Sequence, residues 1–304
     1  MIVVVSPGQG SQTPGFLSPW LEHDGVREQM ETLGDASKID LIAHGTQSDD
    51  ATIRDTKVAQ PLIVAASIVS GTLLLENRRS RVSGFAGHSV GEFAAAALAG
   101  ILTESDAMSL VGVRGRAMAD EAARVATGMS ALIGGDEAAI ASVLEKFGLF
   151  GANMNGGGQV VVAGTTVALD ALASDPPEGI RVIPLSVAGA FHTSFMAGAV
   201  ATLEAAAASI PAADPTTPIY SNSDGNLVSS GEKFRDLLVG QVSSPVRWDL
   251  CMESFERDGV TGIIELAPAG ALVGLIRRTI KGVPTVAVKT PDDLSAAIEM
   301  LEAS

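Results

Sequence analysis

Gly87-His88-Ser89-Val90-Gly91 joins the apolar run Val82–Ala86 to the alanine-rich run Glu92–Ala99. An extended run, a serine between two glycines and a helix of small residues make the pattern of a nucleophile elbow. This is a sharp strand-to-helix turn that lifts a hydroxyl clear of the backbone. Glycine suits both flanks because a side chain there would collide with the neighbouring strand and helix. The chain carries 33 glycines, so the spacing can also arise by chance. Ser89 is therefore a candidate, and its surroundings decide.

Working outward, Ile2–Val5 reads as a short strand buried on both faces, ending in the loop Pro7-Gly8-Gln9-Gly10-Ser11-Gln12. Val58–Leu75 is apolar enough to raise the question of a membrane span. Gln60, Pro61, Ser67, Ser70, Gly71 and Thr72 interrupt it, so it reads as a core helix, with Pro61 in its first turn. Thr103-Glu104-Ser105-Asp106 supplies cap chemistry for a helix running to about Ala123. Strands alternating with helices predict an α/β fold, a hydrolase-like large domain with a mainly parallel sheet. Near Thr127 the pattern changes. Met129–Ile133, Phe150–Met154, Gln159–Gly164 and Ile180–Val187 read as strands, with helices at Glu137–Lys146 and Val167–Ala173. That β-α-β-β-α-β order predicts a ferredoxin-like subdomain over 125–188, inserted between 1–124 and 189–304 of the large domain. Beyond it, Ile263–Leu266 reads as a buried strand before Pro268-Ala269-Gly270.

Composition narrows the function classes. Hydrophobic residues make up 46% and charged residues 18% of the chain, as in an ordered globular protein. The net charge of −15 argues against binding to nucleic acid or an anionic membrane. The single cysteine, Cys251, leaves no internal disulfide and fits a reducing compartment. The histidines show no metal-ligand spacing, so no metal is expected. The short apolar start Met1–Val5 has no basic flank and does not read as a signal peptide, so a cytoplasmic protein is expected. A chain running from Met1 to just past its last element reads as a separate protein, with monomer as the default state.

A serine hydroxyl needs a general base and a site for the oxyanion. His88 adjoins Ser89, but consecutive residues at such a turn point apart, so its role reads as structural. His23 and His44 lie in polar, loop-like surroundings and read as surface residues. His192, in Gly189-Ala190-Phe191-His192-Thr193, opens the helix that returns to the large domain. Near a helix N-terminus, where the dipole lowers its pKa, it is either a structural histidine or a general base that must be neutral at rest. Arg114 shares a helical face with Ala107, Leu110, Val111 and Met118, so it points at the core. A buried guanidinium needs an anion, either an internal carboxylate or a substrate's. Arg116 faces Ser109, Gly112 and Asp120 and reads as a solvated charge.

Pro7–Gln12, Gly87–Glu92, Arg114-Gly115, Gly189–His192 and Pro245-Val246-Arg247-Trp248 occur in order. Together they resemble the malonyl-CoA:acyl carrier protein transacylases, the stand-alone acyltransferases of fatty-acid synthesis, essentially end to end. The resemblance implies Ser89 as acyl-accepting nucleophile, His192 as its base, and the backbone N–H groups of Gln9 and Val90 as oxyanion hole. It implies that Arg114 clamps the malonyl carboxylate and that the main-chain carbonyl of Gln241 orients the histidine. Gln60 aligns with a pocket glutamine, and Phe191 accompanies malonyl rather than methylmalonyl selection in related enzymes. Val90 stands where leucine is usual, but only its backbone is needed. No bound cofactor is implied. The substrates would be malonyl-CoA and acyl carrier protein of fatty-acid or polyketide synthesis. Carrier proteins of this kind are acidic, so docking would use a local basic patch, either Arg277, Arg278 and Lys281 or Arg78, Arg79 and Arg81. The rival reading is a serine esterase or thioesterase with the same elbow. A non-catalytic acyl-CoA-binding protein is a second.

Overall fold

The computed structural model describes residues 1–303. A four-stranded parallel sheet leads into the elbow. Its strands are β1 (Ile2–Ser6), β2 (Val82–Gly87), then, later in the chain, a strand at Gly262–Glu265 and one at Thr285–Ala287. β1 lies between β2 and Gly262–Glu265, and Thr285–Ala287 forms an edge. All five residues of β1 are buried, because helices cover both faces. The alternation of a strand divides them: Ile2 and Val4 enter one core, Val3 and Val5 another. The first core holds the helices Thr56–Leu75, Gly91–Leu98 and Glu104–Ala122; the second is built around Trp248, Phe255 and Ile276.

The helix Thr56–Leu75 passes a length-and-apolarity test for a membrane span. Only Lys57, Thr72 and Leu73 of its twenty residues escape burial, so it is a core helix. Pro61 lies deeper in it than the sequence suggested. The Asp55 carboxylate accepts from Lys57 N–H at 3.1 Å and starts the helix at Thr56, leaving Pro61 as the sixth residue rather than in the first turn.

A second sheet contains β3 (Thr127–Ile133), β4 (Phe150–Gly156), β5 (Gln159–Thr165) and β6 (Arg181–Pro184) in the order β6-β3-β5-β4. Neighbours among these four are antiparallel. Helices Glu137–Phe147 and Thr166–Ser174 cover one face, where Leu132, Ile140, Val162 and Leu172 pack. The other face, carrying Met129, Ala131, Val161 and Ala163, joins the large core. β7 (Val246–Arg247) extends the sheet by pairing in parallel with Asn153 and Met154 of β4. The two remaining strands of the first sheet are β8 (Gly262–Glu265) and β9 (Thr285–Ala287). β6 ends at Pro184, short of the expected Val187. Leu185 still donates to Met129 O, but Val187 N–H turns back to Leu185 O at 3.0 Å.

Candidate active site

The site begins where β2 runs out. A Cβ on Gly91 would stand 2.2 Å from Ser6 O, and one on Gly87 would stand 2.1 Å from Gly91 C. Both positions therefore exclude a side chain, and the chain turns so tightly that Ser89 takes φ +52°. The Asn222 side chain braces the turn: its Oδ1 accepts from Ser89 N–H at 2.8 Å and its Nδ2 donates to Gly87 O at 2.7 Å.

His192, which follows β6 in the chain, meets the serine. Its Nε2 lies 2.7 Å from Ser89 Oγ, and its Nδ1 lies 2.8 Å from Gln241 O. A carbonyl can only accept, so Nδ1 carries the proton and Nε2 is left as acceptor for the serine hydroxyl. Burial, reinforced by the Arg114 charge, lowers the His192 pKa to about 3. His192 does not itself open the α-helix, contrary to the sequence reading. His192 sits at φ +62° in the turn before Ser194–Met196, and the α-helix begins only at Ala197.

Arg114 is buried, as its helical phase requires. Nη1 donates to Gln60 Oε1 at 2.7 Å and Nη2 to Gln241 Oε1 at 2.9 Å. Nη2 also approaches Ser89 Oγ at 3.3 Å, and the guanidinium carbon lies 5.8 Å from the Phe93 ring centre. Nε is buried with no acceptor. None of the ion pairs among the described residues includes Arg114. Neutral oxygens thus hold the fork, and burial pulls its pKa down to about 9.

Arg116 corrects the sequence reading. It is half-buried and donates to Ser37 O at 2.9 Å, at the end of the helix Val26–Ser37. Gly112 lets the two helices approach so closely that a Cβ there would lie 2.3 Å from the same carbonyl. One turn further on, Arg116 reaches that C-terminus, where a cation is favoured.

Ser89, His192 and Arg114 line one cavity of about 390 Å³. Gln9, Val90, Gln60 and Phe191 line it as well, and Met129, Ala131 and Val161 of the second sheet form the opposite wall. His88 also lines the cavity but turns its Nε2 to Asn155 Oδ1, at 2.9 Å, on β4. His44 lies in the helix Leu41–Gln47 rather than a loop, against Ser48 Oγ. Arg278, exposed on the helix Ala271–Thr279, lines the rim. Glu265 positions that helix by accepting from the N–H groups of Gly270, Leu272 and Val273 at 2.9 to 3.0 Å. Arg277 and Lys281 are exposed on the same segment. Arg78 pairs with Glu302, and Arg79 donates to Leu98 O. Both precede β2, at the end of the strand away from Ser89.

Sequence reasoning missed Asn222, Asn155 and the side chains of Glu92 and Gln241. Glu92 stood in the elbow motif without a role, and Gln241 was assigned only its carbonyl. Asn222 offered no signal, being 133 residues from the serine whose N–H it holds.

A family described as the acyl transferase domain matches residues 3–293. A Mycobacterium tuberculosis protein named malonyl CoA-acyl carrier protein transacylase is 49% identical, over 97% of this chain and 98% of the relative. A crystal structure described as MCAT from Mycobacterium tuberculosis superposes with a TM-score of 0.95 at 47% identity, covering 98% of this chain and 99% of the other. A structure described as a type II PKS acyl-carrier protein in complex with its malonyl-transacylase matches at TM-score 0.91 and 30% identity, covering 98% and 99%.

Proposed function

The chain belongs to the acyl transferase family, among its malonyl-CoA:acyl carrier protein transacylases, and from that membership we propose a two-step transfer through a malonyl-serine ester. Ser89 Oγ attacks the thioester carbonyl of malonyl-CoA while its proton passes to His192 Nε2. The C–S bond breaks, and the coenzyme A thiolate takes that proton as it leaves. The carrier's phosphopantetheine thiol then gives its proton to His192 and attacks the ester. Ser89 leaves with the proton restored. The backbone N–H groups of Gln9 and Val90 are assigned to the oxyanion in both steps.

One observation carries the acyl assignment: Arg114 Nη2 lies 3.3 Å from the same Ser89 Oγ that lies 2.7 Å from His192. A malonyl group has one methylene between its carboxylate and the carbonyl under attack. A buried cation beside the nucleophile, without an internal counter-ion in contact, suits that acyl group. A carboxylate there gains charge-assisted hydrogen bonds, and an acetyl group leaves the guanidinium unpaired. Arg114→Ala is expected to lower malonyl loading by about 100-fold, the effect of losing a charge-assisted pair of roughly 3 kcal/mol. Acetyl loading should change by less than about threefold. Rates of acyl-enzyme formation from the two thioesters measure this, and equal losses would remove the clamp.

The carrier protein is proposed to dock at the cavity rim, on Arg277, Arg278 and Lys281. Their exposure on the segment that borders the cavity supports this placement. Arg78 and Arg79 lie instead at the far end of β2, away from Ser89.

A further inference from the structure

The Gln241 side chain is a junction that the mechanism above does not use. Its Oε1 accepts from Arg114 Nη2 at 2.9 Å, and its Nε2 donates to Ser89 O at 3.1 Å. The same Nε2 donates to Glu92 Oε2, and the Gln241 main-chain carbonyl holds His192. An amide can be turned either way round within its cavity, so something must fix which end faces Arg114. Glu92 is the group placed to do so. It is buried in the first turn of Gly91–Leu98, and its other oxygen, Oε1, accepts from Asn222 main-chain N–H at 2.6 Å.

We infer that Glu92 is a positioning residue for acyl selection: by accepting at both carboxyl oxygens it fixes the Gln241 amide, and through it the Arg114 fork. The argument rests on donor and acceptor counting. Two N–H donors, one from the Asn222 backbone and one from Gln241, converge on Glu92. Burial pushes the Glu92 pKa up to about 8, while these two donors together with the Arg114 charge favour the ionised form. An ionised carboxylate accepts both, whereas an amide offers one acceptor and one NH₂. The Asn222 backbone cannot turn over, because Asn222 Oδ1 and Nδ2 are committed to Ser89 N–H and Gly87 O. An amide at position 92 must therefore aim its NH₂ at Gln241. Gln241 would then turn over and present its own NH₂ to Arg114 Nη2. Two donors would face each other in a buried site, and the fork would lose one of its two glutamine supports.

This inference rests on the proposed malonyl loading of Ser89, and the test separates the two. Loading of the purified protein from malonyl-CoA and from acetyl-CoA is followed by intact mass spectrometry, with kcat and KM resolved. Glu92→Gln is expected to lower the malonyl-to-acetyl preference by roughly tenfold, the cost of one mismatched buried donor, mainly through the KM for malonyl-CoA. In a Gln241→Ala background the same substitution should leave the preference unchanged, because the relay is already cut. Should Glu92→Gln fail to fold, Glu92→Asp withdraws both acceptors by one methylene and is expected to shift the preference in the same direction.

A preference that stays at the wild-type value, or an equal loss for both thioesters, overturns the inference. A full Glu92→Gln effect persisting without the Gln241 side chain does so too. Failure of the wild-type chain to form any malonyl ester would instead sink the proposed function itself.

Discussion

Ser89 and His192 both occupy the left-handed backbone region, at φ +52° and +62°. For a residue with a Cβ that conformation is unfavourable by about 1–2 kcal/mol, so the surrounding contacts must hold each one there. Asn222 and the glycine-lined turn do this for Ser89; Gln241 O and Val242 O do it for His192. The consequence for chemistry is a base that stays neutral. Burial first, and the Arg114 charge second, put the His192 pKa at about 3 against an ordinary 6.5. Loading by malonyl-CoA is thus expected to hold its rate as pH falls from about 7.5 to 5.5, where a free imidazole would lose most of its basic form. Burst kinetics across that range check this, and a halving of the rate near pH 6.5 would contradict it. The same shift has a stability consequence of defined sign. The unfolded chain takes up a proton near pH 6.5 that the folded one refuses until about 3, so acid in that window favours unfolding.

Residue-scale legibility followed local geometry. Arg114 was readable as inward because a helix repeats every 3.6 residues. That it meets Gln60 and Gln241 instead of a carboxylate was not readable, since those partners lie 54 and 127 residues away. Arg116 failed for the same reason: its acceptor is a carbonyl of another helix, 79 residues distant.

At the scale of elements, the positions set by local rules were legible. Thr103 accepts from Asp106 N–H at 3.0 Å, the cap its sequence suggested. The elbow follows from glycines whose replacement would collide with Ser6 O and Gly91 C. Boundaries set by tertiary partners were not: Asp55 moved a helix start ahead of Pro61, and a backward turn ended β6 at Pro184. The helix Ala271–Thr279 shows what such placement does for function. Buried Glu265 ties down its start, and its last turn carries Arg277 and Arg278, of which Arg278 lines the cavity, with Lys281 just beyond. Reversing these three charges is expected to slow transfer to an acidic carrier protein by about tenfold at low salt, and less at high salt. Loading from malonyl-CoA should fall less than transfer does. Transfer rates at two salt concentrations test this, and an unchanged rate would remove the patch.

Across the whole molecule, the parallel sheet presents Ser89 at the end of β2 while the antiparallel sheet closes the opposite wall with Met129, Ala131 and Val161. Neither sheet makes the site alone. Ser89 follows β2 of the first, and His192 follows β6 of the second. The cavity between them suits the proposed mechanism, in which water must be kept from the ester until a thiol arrives. Against a net charge of −15, Arg277, Arg278 and Lys281 are a local exception, as the proposed docking of an acidic carrier protein requires. The central claim is that this cavity holds malonate as an ester on one serine. The most direct measurement is incubation with malonyl-CoA, followed by intact mass and mapping of the modified peptide in the wild-type chain and in Ser89→Ala. A single malonyl adduct on Ser89, absent from Ser89→Ala, is the predicted result. An adduct on another residue, or one that persists in Ser89→Ala, would contradict it.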